Sequence, residues 1–145
     1  MDPHALSVGV RWLHVAAMAV ALGGAVLLAV ASRSRDRPLD LLGVAVIYER
    51  AFWVAAGLLV MTGVGNVAAF GIQLPAPASD WGTAFVAKLL LIGALVLFSI
   101  PRTVTIAQLA NVPAADRSGT VAALYATTAI ALLAVLAVAV RLAHG

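Results

Sequence analysis

Apolar residues run along this chain in four long stretches, at residues 6–31, 50–70, 83–100 and 119–142. Neither the alternation of a strand nor the narrow stripe of a surface helix appears. Each stretch is apolar all round, and a helix of that kind lies in lipid or in a large core. Each also meets the roughly 17–25 residues that a membrane-crossing helix needs. Residues 41–49, LLGVAVIYE, are apolar as well and lead into Arg50. We read them as an early start to the second helix, which then spans residues 41–70 and protrudes from the bilayer.

Polar and helix-breaking residues mark the connections. Residues 32–40 read SRSRDRPLD, residues 71–82 read GIQLPAPASDWG, and residues 101–118 read PRTVTIAQLANVPAADRS. Pro75 and Pro77 break the second connection, and Pro101 opens the third. Short connections favour neighbours that run in opposite directions. The expected fold is therefore all-α: one transmembrane domain over residues 1–145, an integral membrane antiparallel four-helix bundle.

Composition narrows the class. Of 145 residues, 63% are hydrophobic and 10% charged, where soluble domains carry about 25% charge. The mean hydropathy is +1.07. A soluble fold of this size is mostly surface and has no place for so much apolar side chain. The lipid bilayer is the expected partner. The net charge of +3 comes from nine basic residues that mostly flank the spans, so no nucleic acid is expected as a partner. There is no Cys, which removes disulfides, iron–sulfur clusters and thiol nucleophiles.

The basic residues orient the chain. Arg33, Arg35, Arg37 and Arg50 gather at the first connection, and Arg102 and Arg117 at the third; the second connection has neither Lys nor Arg. The positive-inside bias makes the first and third connections cytoplasmic and puts both termini outside, in the plasma membrane of the cell. Trp12 and Trp81 then belong to the outer interface, Tyr48 and Trp53 to the inner one, and Glu49–Arg50 reads as an interfacial ion pair. Residues 29–31, Ala-Val-Ala, resemble a signal-peptide cleavage site, yet no basic residue precedes Arg11, and the arginines after the span look like a cytoplasmic anchor.

Arg11, His14, Lys88 and Arg141 lie within spans or near their ends. At 1.5 Å per residue, His14 is about 12 Å into its helix and Lys88 about 7 Å. Ionisable groups at such depth are costly and point to function. Ser7, Arg11, His14 and Met18 share one helix face; so do Gly57, Met61 and Gly65 on the second helix, and Lys88, Ile92, Leu95, Ser99 and Arg102 on the third. If these faces point inward, the outer half holds an imidazole, two thioethers and up to three cations, with only Asp80 as a carboxylate. An anionic ligand would complete such a set. Heme b fits: His14, with Met18 or Met61, supplies axial donors, and Arg11, Lys88 or Arg141 meets the propionates. Copper is the alternative, held by His14, Met18 and Met61. The plainer readings are a His14 bonded to a Ser, Thr or carbonyl of a neighbouring helix, a Lys88 and an Arg141 that snorkel to the headgroups, and methionines that simply pack. No nucleophile–base pair or carboxylate dyad points to an enzyme. Without a mid-membrane carboxylate, a proton relay is not expected.

The first span, RWLHVAAMAVALGG over Arg11 to Gly24, resembles the Trp-Leu-His…Gly-Gly opening span of the copper-resistance D (CopD-like) membrane proteins. Arg50 followed by Met61-Thr62-Gly63-Val64 is similar to that family's second span. Thr83 followed by Lys88-Leu89-Leu90-Leu91, with Arg102 beyond, is similar to its third. The resemblance covers about the first 100 residues. It implies a four-helix unit, a link to copper uptake or tolerance, and marked positions at His14 and Lys88. The HemJ-type protoporphyrinogen oxidases are similar at the same positions: small four-helix proteins with an intramembrane His and Lys that bind heme. The resulting expectation is a heme b protein of electron transport. A copper protein and an accessory subunit without a cofactor are the alternatives. A homodimer or a larger membrane complex is the expected state.

Overall fold

A computed structural model describes residues 3–34, 40–69, 79–111 and 114–144. Four long helices make up almost all of it: α1 (Pro3–Ala31), α2 (Leu41–Ala69), α3 (Asp80–Gln108) and α4 (Ala114–His144), with one 3-10 turn at Leu109–Asn111. All four are long and apolar enough to cross a membrane. The chain is an all-α membrane protein. Ile47, Leu90, Leu97 and Ile130 are among the large apolar side chains left exposed, as lipid contact requires.

The second helix does begin at Leu41. Phe70 and the Pro75–Pro77 stretch lie outside the described residues. The expected end of the third helix at residue 100 is overturned, because α3 continues through Pro101 to Gln108. A proline inside a helix removes one N–H and normally bends or ends it. Here the turns around it are held by side chains: Ser99 Oγ donates to Leu95 O at 2.7 Å, and Thr105 Oγ1 to Pro101 O at 2.9 Å. Arg102 and Thr103, just past the proline, reach Glu49 on α2. Tertiary contacts thus outweigh the local signal. At its start, α3 is capped by Ser79, whose side chain accepts from the Gly82 N–H at 3.0 Å, and Asp80 complements the helix dipole there.

α1 packs against α2 and α4; α3 packs against α4 and more lightly against α2. The core is uneven along this ring. Its buried members include Ala17, Ala21, Ala25 and Leu28 on α1, Ala45, Tyr48, Phe52 and Ala55 on α2, Leu95 and Ile106 on α3, and Val121, Tyr125, Ala129 and Leu132 on α4. Nothing is buried on α1 from residue 4 to 16, on α3 from 83 to 94, or on α4 from 133 to 142. On α2 only Thr62 is buried between residues 56 and 64. One half of the bundle is therefore closed and the other open.

Alanines close the first half by letting backbones approach. At Gly24 the approach is so near that a Cβ would overlap the Tyr48 ring. Tyr48 is buried, and its hydroxyl donates to Ala21 O at 2.6 Å. It is a core residue joining α1 to α2. Trp53 is part-exposed and donates to Thr103 Oγ1 at 3.1 Å.

Candidate functional site

The closed half contains a charged centre that sequence reasoning misplaced. Glu49 does not pair with Arg50, which is exposed. It pairs with Arg102, from Nε to Oε1 at 2.9 Å and from Nη2 to Oε2 at 3.1 Å. Both residues are buried, at 4% and 1% exposure. Periodicity had put Arg102 on the face of Leu95 and Ser99, and all three are buried. The Glu49 carboxylate lies inside the closed half of the bundle. Glu49 is eight residues into α2, about 12 Å at 1.5 Å per residue.

Every group at this centre has a partner. Thr103 Oγ1 donates to Glu49 Oε2 at 2.5 Å and Tyr125 Oη to Glu49 Oε1 at 2.8 Å. Arg102 Nη1 donates to Thr128 Oγ1 at 2.9 Å, and Thr128 passes its own proton to Leu124 O at 2.8 Å. The guanidinium carbon sits 4.2 Å from the Phe52 ring centroid and 5.6 Å from that of Tyr125. No buried polar side-chain atom lacks a partner among the described residues. A carboxylate has about four acceptor positions, and here four donors meet them. The chemistry is that of a fixed ion pair joining α2, α3 and α4.

The open half carries the residues singled out by sequence. His14 is half-buried, and its Nδ1 lies 2.7 Å from Thr62 Oγ1. The Thr62 hydroxyl is 2.5 Å from Leu58 O, to which it donates. In the tautomer that lets this hydroxyl accept from His14, the proton sits on Nδ1 and Nε2 keeps its lone pair. A histidine oriented by a hydrogen bond at one ring nitrogen, with the other left as a donor atom, is the usual arrangement of a metal-ligating imidazole. The bond to a neighbouring helix's Thr, expected as the plainer reading, is also present; it orients the ring and leaves Nε2 unused.

Lys88, on α3, is half-buried in the same half of the bundle. The structure thus joins His14 from α1 to Thr62 from α2. Met18 is partly buried against the core. Arg11 is exposed on the same helix. Arg141 is exposed and lines clefts between α3 and α4 together with Asp80 and Ala84. Met61 does not join the group. It is 72% exposed, and Gly57 on the same face is exposed as well. The inward face of α2 is set by Glu49, Phe52, Ala55 and Thr62, and Met61, about 100° away from Thr62, faces lipid. Gly65 lies in a stretch whose side chains are not described. Among the described residues no cluster of three or more His, Cys, Asp or Glu is formed. Thr62 was not singled out by sequence as His14's partner, although its place beside Gly63 in the Thr-Gly motif was noted.

No family model matches the chain, and neither a curated protein nor a solved structure matches it.

Proposed function

We propose that the chain is a plasma-membrane protein of CopD-like type that holds a metal-centred cofactor, heme b, in its open half. The bundle is antiparallel with both termini outside. The sequence of contacts supports the antiparallel course of α1 and α2: His14 meets Thr62 while Ala21 meets Tyr48, so numbers rise along α1 as they fall along α2. The carrying observation is the His14–Thr62 bond. It fixes the ring and leaves Nε2 as the donor atom.

The donor chemistry suits heme b. His14 Nε2 suits the iron, and Lys88, with Arg11 nearer the membrane surface, suits the propionates. Arg141 suits them less, because Asp80 lines the same clefts and repels carboxylates. Thr62 holds the imidazole in one tautomer. The unburied faces of α1, α3 and α4 leave access for a flat ligand. When bound, heme supplies a one-electron carrier. The protein then serves electron transport, as a homodimer or a subunit of a larger membrane complex.

Copper is the second reading. Met18, one turn from His14 and partly buried, favours it, and soft thioether and imidazole donors suit Cu(I). Met61 points away from that set. The test is an absorbance spectrum of detergent-purified protein, oxidised and then reduced with dithionite. The expected result is a Soret band with a resolved α band on reduction, lost in His14→Ala. A colourless protein with near-stoichiometric copper supports the second reading. A colourless, copper-free protein that co-purifies with larger subunits overturns both and makes the chain an accessory subunit.

A further inference from the structure

The two clefts at the open end lie outside the His14 group and have a chemistry of their own. One, of about 210 Å³, is lined by Asp80, Trp81, Ala84, Arg141 and Leu142. The other, of about 190 Å³, is lined by Asp80, Thr83, Ala84, Ala87, Val138 and Arg141. Asp80 and Arg141, both exposed, thus line both clefts. Asp80 is the first residue of α3 and Arg141 lies in the last turn of α4, so the pair sits where the apolar shafts of both helices end. Trp81, stacked on Phe85 with centroids 5.2 Å apart, belongs to the aromatic belt at that depth.

We propose that this end of the α3–α4 pair is a binding site for one phospholipid with a zwitterionic, hydrogen-bonding headgroup, namely phosphatidylethanolamine. Arg141 takes the phosphate, for which a planar guanidinium is well suited. Asp80 takes the primary ammonium, which donates hydrogen bonds to a carboxylate. One acyl chain descends along Ala84, Ala87 and Val138, where two small residues on α3 leave a trough. No direct ion pair joins Asp80 and Arg141 among the described residues. The two charges thus stand on one cleft without neutralising each other. A headgroup carrying both signs satisfies both at once. An anionic lipid would meet Asp80 as a like charge. A choline headgroup has no N–H to offer.

The test is native mass spectrometry of the full chain in detergent, titrated with phosphatidylethanolamine, phosphatidylcholine and phosphatidylglycerol of identical acyl chains. We expect ethanolamine lipid to be retained about fivefold better than the other two, the scale of one exposed ion pair. Asp80→Asn should abolish that preference, and Arg141→Gln should weaken all three lipids. Ala87→Leu should weaken them equally by filling the trough, with both charges intact. Both charged residues are exposed, so thermal unfolding of the variants should match the parent. Equal retention of the three lipids, or a preference that survives Asp80→Asn, overturns the site. Displacement of the lipid by equimolar phosphoethanolamine overturns the acyl trough and assigns the site to a soluble phosphate ester. Heme content reads the His14 proposal separately, so either can fail without the other.

Discussion

The closed and open halves of this bundle are built from the same four helices and nearly the same apolar alphabet, yet they handle polar groups in opposite ways. In the closed half, Glu49 and Arg102 are buried and consume one another, with Thr103, Tyr125 and Thr128 filling the remaining positions. In the open half, His14 and Lys88 are half-buried, and His14 spends one ring nitrogen on Thr62 and keeps the other. The difference separates a polar group that holds helices together from one that is left to bind. In a medium without water, a fully satisfied network specifies which helices meet. An incompletely used donor atom is available for a ligand.

The comparison breaks first at the ion pair. Glu49→Ala leaves the Arg102 guanidinium buried without its counterion, and removing one partner of such a pair costs about 3–5 kcal/mol. We expect loss of the folded chain, or a large fall in the thermal midpoint of the purified protein. The double variant Glu49→Leu/Arg102→Leu should recover much of the loss, since apolar packing of similar volume often replaces a buried pair without penalty. Failure to recover would mean that the hydroxyls around the pair matter more than the charges.

Gly24→Leu comes next. It drives a side chain into the Tyr48 ring, and overpacking of this kind costs about 1–3 kcal/mol; the same midpoint measurement reads it. Thr128→Val removes the acceptor for Arg102 Nη1 and should cost about 1–3 kcal/mol, as for an unsatisfied buried donor. Smallest is the change in the open half. Thr62→Val removes the bond that orients His14. We expect a stability change of about 1 kcal/mol, accompanied by reduced cofactor content. A stability loss as large as that of Glu49→Ala would erase the contrast between the halves.

The helices were legible in the sequence because uninterrupted apolar runs leave no other structure possible in lipid. Their ends were less so. Pro101 reads as a stop, and only the reach of Arg102 and Thr103 to Glu49 explains why α3 passes through it. His14 and Lys88 stood out as ionisable residues inside spans, and both are half-buried in the open half. Met61 was read inward by its spacing with Gly57, but an all-apolar helix has no sequence-level sign of which face meets protein; that face is fixed by Glu49 and Phe52. Glu49 itself was paired with its neighbour Arg50 because adjacency is visible in a sequence, whereas a partner 53 residues away is not.

The chain has no cysteine, so single thiols report cleanly on the two halves. Ile92 and Ser99 lie on one face of α3, Ile92 partly exposed in the open half and Ser99 fully buried in the closed half. The decisive measurement is the rate at which a small membrane-permeant thiol reagent labels Ile92→Cys and Ser99→Cys in protein purified without added cofactor. The account predicts fast labelling at position 92, slowed by added heme, and protection at position 99. Equal protection at both positions would mean that the bundle is closed along its whole length and has no ligand site beside His14.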